Sequence, residues 1–506
     1  MAEKKRRLGA RELFDVAVDE GTFISWDEPP VRIAGTISAE YAAELAAARE
    51  KSGVDESVIT GEGLIRGRRV ALVACEFRFL AGSIGLAAAE RLVKAIERAT
   101  AEGLPLLAGP ASGGTRMQEG TLAFLSMVKI TAAVAAHRRA GLPYMVYLRH
   151  PTTGGVFASW GSLGHVTVAE PGALIGFLGP RVYEALYDDT FPEGVQTGEN
   201  LHRRGLIDAV IQPEKISDTV DRVLSVLMAP KETLPATSAP EDVDVPDTPA
   251  WESITRSRKQ DRPGVRQLLR YAARDVLPLN GTGEGEKDPG LILALARFGS
   301  APCVFLGQDR RGQSKNEPMG PAALREARRG MRLSKELNLP LVTVIDTPGA
   351  ALSKEAEEGG LAGEIARSLT DLVMLSSPTV SVLLGEGNGG GALALVPADR
   401  VLCAQNGWLS PLPPEGASAI VHRTIDRAAD MAAAQGVRAL DLLASGVVDR
   451  IIPEHDDAAD EPEEFCRRVG QALEYEVLRL MQEESAPRFE QRLRRYRQLG
   501  LGSETA

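Results

Sequence analysis

Hydrophobic and polar positions along this chain alternate between two textures. Short runs such as Leu142-Pro-Tyr-Met-Val-Tyr-Leu148 and Pro378-Thr-Val-Ser-Val-Leu-Leu384 carry almost no charge and predict strands. Longer stretches with helical spacing, among them Ala87–Thr100 and Gly330–Leu339, lie between such runs. That order predicts βα crossovers around a largely parallel sheet, an α/β chain. Further on, Phe465, Val469, Leu473 and Val477 recur every four residues and predict one helix with an apolar stripe. Pro487 breaks it, and a second, charged helix follows, with Arg492, Arg494, Arg495 and Arg497 expected on its solvated face.

The pattern occurs twice. Leu-Pro steps at 104 and 339, and glycines at 172 and 407, are each separated by 235 residues. Arg204-Gly-Leu-Ile-Asp-Ala-Val-Ile211 matches Ser445-Gly-Val-Val-Asp-Arg-Ile-Ile452 at a separation of 241. Between the halves, residues 230–249 hold five prolines and several acids without an apolar period. The expected organisation is a first domain over 1–229, a linker over 230–262, a second domain over 263–460 and a helical tail over 461–506.

Each half carries a glycine-rich loop after a strand-like run and before small, helix-compatible residues. Gly154-Gly155 lies in the first half, and Gly390-Gly391, paired with it at a separation of 236, in the second. Glycines there free backbone N–H groups at a helix N-terminus, where they can hold a developing oxyanion. Two turns, Ala111-Ser-Gly-Gly114 and Asp346-Thr-Pro-Gly349, correspond in the same way and are expected to add amides to these sites.

Several motifs point nowhere. Gly385-Glu-Gly-Asn-Gly-Gly390 fits GxGxxG, yet no acidic residue follows about 20 positions on, and the first half keeps only the glycine pair. No GxxxxGK[ST], GxSxG or HExxH occurs. Cys75, Cys303, Cys403 and Cys466 form no CxxC and read as buried thiols in a reducing, cytoplasmic setting; no metal is expected. His150 and His165, near the first loop, read as structural, as do Glu119 and Glu386. A net charge of −11 argues against nucleic acid as a main partner, and without an 18-residue apolar run no membrane span is expected.

Phe77–Gly85, Ser112-Gly-Gly-Thr-Arg-Met-Gln-Glu119, Pro151–Ser159 and Ala169–Val182 resemble the β subunit of bacterial acetyl-CoA carboxylase carboxyltransferase. Ile345–Ala350, Gly385–Ala394 and Pro414–Ile420 resemble its α subunit, and Trp251–Pro263 that subunit's leading segment. Together they are similar to the fused β–α carboxyltransferases of actinobacteria. The β subunit's four-cysteine zinc ribbon is missing, its Gly-Gly-Ser turn is here Ala81-Gly82-Ser83, and the α subunit's Ser-Gly-Gly is here Gly389-Gly390-Gly391.

This resemblance implies two tandem crotonase-like ββα-spiral domains with a C-terminal helical extension. It implies transfer of CO2 from carboxybiotin to the α-carbon of an acyl-CoA, acetyl-CoA giving malonyl-CoA. Gly154 and Gly155 would then hold the thioester oxygen, and Gly390 and Gly391, with Gly389, the ureido oxygen of biotin. Ser112, Gly113, Gly114, Arg116, Pro348 and Gly349 would line the substrate, and Arg78, Arg116, Arg310, Arg311 and Lys315 are candidate phosphate contacts. Biotin would ride on a separate biotin carboxylase or carboxyl carrier subunit, and the chain would form a homodimer or larger homo-oligomer. The alternatives are a malonate-decarboxylase-type carboxyltransferase and a non-catalytic scaffold subunit.

Overall fold

The structure is a computed structural model that describes residues 7–31, 38–178, 183–184, 187–229, 239–240, 244–313, 318–455 and 457–500. It divides into two compact units, residues 1–224 with 283–285, and residues 225–282 with 286–506.

The first unit holds β1 (Ile24–Ser25), β2 (Val58–Ile65), β3 (Arg68–Cys75), β4 (Leu106–Gly109), β5 (Tyr144–Leu148), β7 (Val166–Ala169) and β9 (Ala209–Val210) in one sheet of that order. A side pair, β6 (Thr152–Thr153) and β8 (Ile175–Gly176), runs parallel beside it. The β2–β3 hairpin is antiparallel, and its two-residue turn, Arg66-Gly67, has positive φ at both positions (49° and 78°). From β3 onward every pairing is parallel. All five residues of β5 are buried, as a parallel strand covered on both faces requires. The covering helices include α1 (Leu86–Ala101) and α2 (Gly120–Arg139), which place Leu92, Ile96, Met127, Ile130 and Val134 in one core with Val73, Leu106 and Val146.

Helix α2, with the short turn before it, is long and apolar enough over Met117–Arg139 to cross a membrane by length and composition. The run-length reading missed this because Ser126 and Lys129 interrupt the apolar stretch. One face of α2 lies in the core, while Leu122, Phe124, Leu125 and Val128 on the other are exposed.

The second unit repeats the plan. Its sheet runs β10 (Ala273–Leu279), β11 (Leu291–Phe298), β12 (Ala301–Gln308), β13 (Leu341–Thr347), β14 (Thr379–Asn388), β15 (Arg400–Ala404) and β17 (Arg450–Ile452), with β16 (Trp408–Ser410) on the end of β14. Again the first three strands are antiparallel and the rest parallel.

Two expected boundaries differ. Within 230–262, Ala250–Ser257 is a helix whose Ala250 and Ile254 pack against Trp408, so this helix is part of the second unit's core and not of a linker. Helix Pro462–Gln482 is likewise no appendage: Phe465, Val469, Leu473 and Val477 complete the core under β11–β14. In the helix that follows, Ser485–Gln498, Arg492 is only 1% exposed and forks onto Asp399 at 2.7 and 2.8 Å. Arg495 pairs with Asp449 at 2.6 Å. The expected solvated arginine face is therefore partly a docking face. Sequence spacing could not show this, because the partners lie 93 and 46 positions away. All four cysteines are free and buried, and burial pushes their thiols up, Cys75 to about 11.

Candidate active sites

Each unit builds the same device where its parallel strands end. After β4 the chain turns through Ser112-Gly113-Gly114; the Ser112 hydroxyl accepts the Gly114 N–H at 3.0 Å, with Gly114 at φ 111°. After β13 it turns through Thr347-Pro348-Gly349; the Thr347 hydroxyl accepts the Gly349 N–H at 3.1 Å, with Gly349 at φ 126°. Bridges Ile84 to Thr115 and Ser112 to Thr152 recur as Met319 to Ala350 and Thr347 to Gly387. Every one of these residues has its counterpart 235 positions on.

That register corrects the pairing of the glycine loops by one residue. Gly154 has φ 60° and opens the short helix Gly154–Phe157; Gly389 has φ 62° and opens Gly389–Leu393. Gly154 and Gly155 are half-buried, and Val156 is buried. Gly389 and Gly390 are half-buried, and Gly391 is buried. Gly155 therefore corresponds to Gly390, and Gly391 to Val156. Gly391 is a packing glycine: a Cβ there would lie 2.7 Å from Met319 Cε and 3.3 Å from the Ala350 nitrogen.

Which amides are available follows from the hydrogen bonds. Gly154 N–H is committed to Phe177 O at 3.0 Å and Gly113 N–H to Ala81 O at 2.9 Å. Gly114 and Gly349 spend theirs on the turn hydroxyls, and Pro348 has none. Ser112, Gly113, Gly114, Pro348 and Gly349 thus shape the loops without offering free amides of their own, contrary to the sequence expectation. Gly155 and Gly390 sit in the first turns of their helices, where N–H groups have no intrahelical acceptor. Neither donates to an acceptor among the described residues. The same holds for Thr115 and Ala350, which sequence reading passed over. Their signal was present, since each directly follows a turn glycine at equivalent positions. Thr115 lies close to the first pair: a Cβ on Gly155 would stand 3.2 Å from Thr115 Oγ1.

Arg116 is not open to a ligand. It is 1% exposed, and its guanidinium serves Glu56 (3.0 Å), Glu119 (3.3 Å) and the Ser83 hydroxyl (3.3 Å) and carbonyl (2.8 Å). Glu119 also accepts from Tyr41 OH and the Leu86 N–H, so Arg116 and Glu119 tie the loop to the start of α1. His150 Nδ1 accepts the Leu174 N–H and His165 Nδ1 the Tyr144 N–H, consistent with structural roles. Among the cation candidates, Arg310 bonds the carbonyls of Ser257 and Lys259, Arg78 is exposed beside Glu76, and Arg311 is exposed. Lys315 lies outside the described residues.

The two sites differ in their surroundings. In the first, Thr153 precedes the helix and its hydroxyl donates to Ser112 O at 3.3 Å. In the second, the equivalent residue is Asn388, 1% exposed, at the N-cap position without capping. Among the described residues, neither its carboxamide oxygen nor its nitrogen has a hydrogen-bond partner. An asparagine at an N-cap ordinarily accepts a helix N–H, so leaving the amide unpaired keeps the Gly390 N–H uncovered. Nearby, Asp346 accepts the Glu386 N–H at 3.2 Å, and Arg258 bridges Glu386 (2.7 Å) and Glu415 (2.5 Å). Burial pushes the Asp346 carboxyl up to about 6, against the pull of Arg310 and Arg262. Among the described residues, no group of histidines, cysteines or acids is arranged to hold a metal.

Residues 3–492 match the carboxyl transferase domain family. A probable biotin-dependent acyl-coenzyme A carboxylase beta3 subunit of Mycobacterium tuberculosis is 61% identical over 98% of this chain and 99% of its own length. An acetyl-coenzyme A carboxylase carboxyl transferase, subunits beta/alpha, of Salinispora tropica is 36% identical over 98% of this chain and 91% of its own. A transcarboxylase 12S structure superposes with a TM-score of 0.71 over 92% of this chain and 90% of that one; at 21% identity it speaks for the fold alone. With its two crotonase-like units and paired glycine loops, the chain belongs to the carboxyl transferase domain family, as a carboxyltransferase of the acyl-CoA carboxylase type.

Proposed function

We propose that this chain moves a carboxyl group from carboxybiotin, held on a separate carrier, to the α-carbon of an acyl-CoA, acetyl-CoA first among them. The observation that carries this reading is the duplicated helix start. Gly155 and Gly390 each present an N–H with no acceptor among the described residues, flanked by the unspent N–H groups of Thr115 and Ala350. Both partners of a carboxyl transfer develop negative charge on a carbonyl oxygen, one becoming an enolate and the other a ureido anion. Preorganised amides at a helix N-terminus stabilise such charge by about 3–4 kcal/mol per donor.

In this scheme Gly155 and Thr115 hold the thioester oxygen while the α-proton leaves. Gly390 and Ala350 hold the ureido oxygen. Biotin supplies the activated carboxyl group and, once relieved of it, a ring nitrogen basic enough to take the α-proton, so no side-chain base is required. The second site suits a ureido group, which carries both a C=O and an N–H: amide donors stand beside an Asn388 carboxamide whose donor and acceptor are both unspent among the described residues. Arg258 pairs with Glu386 and Glu415, and Asp346 accepts the Glu386 N–H, and together they hold the loop.

We further propose that the two kinds of site meet through a homo-oligomer, the first half of one subunit against the second half of another. The exposed apolar residues Leu122, Phe124, Leu125 and Val128 support an additional protein surface there. The test is carboxyl transfer from a carboxylated carrier to acetyl-CoA by the purified chain, with longer acyl-CoAs as a second arm. Carboxylation of none of them would overturn the reading. Decarboxylation of malonyl groups without biotin would favour the decarboxylase alternative, and inactivity with intact assembly into a larger carboxylase the scaffold.

A further inference from the structure

Away from both glycine loops, the helix Ser485–Gln498 lines a cavity of about 150 Å³ together with residues 399–400, 446, 449 and 483. Four guanidiniums line it, from Arg400, Arg488, Arg492 and Arg495, against three carboxylates, from Asp399, Asp449 and Glu483. Asp399 is committed to the fork with Arg492 and Asp449 to Arg495. Glu483 stands 3.8 Å from Arg400, which also has Glu476 at 3.7 Å.

Arg488 shares its nearest carboxylate, Asp399, with Arg492. It is 5% exposed, and its terminal nitrogens donate to the carbonyls of Leu480, Glu483 and Ser376. Its Nε is buried and has no hydrogen-bond partner among the described residues, although Asp399 Oδ2, already taken by Arg492, lies 3.5 Å away. Burial and the Arg492 charge both press the Arg488 pKa down, against the pull of Asp399 and Glu483. The Nε of Arg495 is also buried and has no hydrogen-bond partner among the described residues. A buried guanidinium without a carboxylate of its own is costly unless an anion accompanies it.

We propose that this cavity is a binding site for a small oxyanion, a phosphate group or a carboxylate, held by Arg488 and Arg495 where the C-terminal helix docks on the second unit. Guanidinium forks match the planar or tetrahedral oxygens of such ligands and favour them over chloride. Nothing in the carboxyl-transfer chemistry uses these residues, so the site would act on the stability or seating of the helix.

The test is thermal unfolding of the full chain with inorganic phosphate and with succinate, each against sodium chloride at matched ionic strength. A saturable rise in midpoint with phosphate alone assigns a phosphate ligand, with succinate alone a carboxylate, and with both a general oxyanion site; each supports the proposal. Gln491 lines the cavity and is exposed, one helical turn from both Arg488 and Arg495. Gln491→Glu would place a carboxylate over them, and should weaken oxyanion binding at least about tenfold while leaving carboxyl transfer unchanged. Arg488→Gln should abolish the response, and Gln491→Glu serves if that variant does not fold. No saturable shift with either anion, or an undiminished shift in Gln491→Glu, would overturn the proposal.

Discussion

Substituting alanine in turn at Gly389, Gly390 and Gly391 separates three roles that one glycine run conceals. At Gly389 a Cβ meets nothing closer than 3.5 Å, from Pro411 O, but φ is 62°. The cost is backbone strain of about 1–2 kcal/mol, with the site's amides left in place. At Gly390 the Cβ would lie 2.7 Å from Ile365 Cδ1, the movable end of a side chain, so the fold yields at little cost. That methyl group would crowd the Gly390 N–H, and if the ligand oxygen loses this donor the rate should fall by about 10²-fold. At Gly391 the Cβ would meet Met319 Cε at 2.7 Å and the Ala350 nitrogen at 3.3 Å. Backbone does not yield as a methyl does, so overpacking should destabilise by about 1–3 kcal/mol. Urea unfolding and carboxyl-transfer rates on the three variants check this. A Gly391→Ala protein of wild-type stability but without activity, beside a fully active Gly390→Ala, would refute the 235-residue register and restore the 236-residue pairing.

Three further outcomes are expected. Arg492→Ala leaves Asp399 buried without its fork, so denaturant titration should show a loss of about 3–5 kcal/mol; a loss under 1 kcal/mol would mean the last helix is not docked as described. Asp346 titrates higher folded than unfolded, so its contribution to stability is largest at low pH and declines as pH climbs from near 3.8 to about 6. Stability measured across that window should therefore fall more steeply for wild type than for Asp346→Asn, and parallel curves would count against the burial argument. Asn388→Ala removes a carboxamide with both polar atoms unpaired among the described residues, so its stability should stay within about 1 kcal/mol of wild type while transfer from the carrier slows; a large loss of stability with full activity would reverse that assignment.

Much of the fold could be read from the chain. Uninterrupted apolar runs such as Tyr144–Leu148 suit only strands covered on both faces, and a repeated order of landmarks implies a repeated fold. The corresponding turns at 111–114 and 346–349 were also legible, because the need for glycine at positive φ is local. The glycine loops were located but paired one residue out, since Gly389-Gly390-Gly391 offers two equally plausible pairs and only strand register distinguishes them.

The sequence by itself determined the residue types that free a helix N-terminus, the duplication and the alternation that builds each sheet, because these depend on neighbours a few positions apart. Tertiary structure decided that Arg116 and Arg492 are buried among distant carboxylates and, among the described residues, which amides remain unspent and that Asn388 lacks a partner. Hydrogen-bond satisfaction and burial are properties of contacts between segments tens to hundreds of residues apart, and no local pattern encodes them.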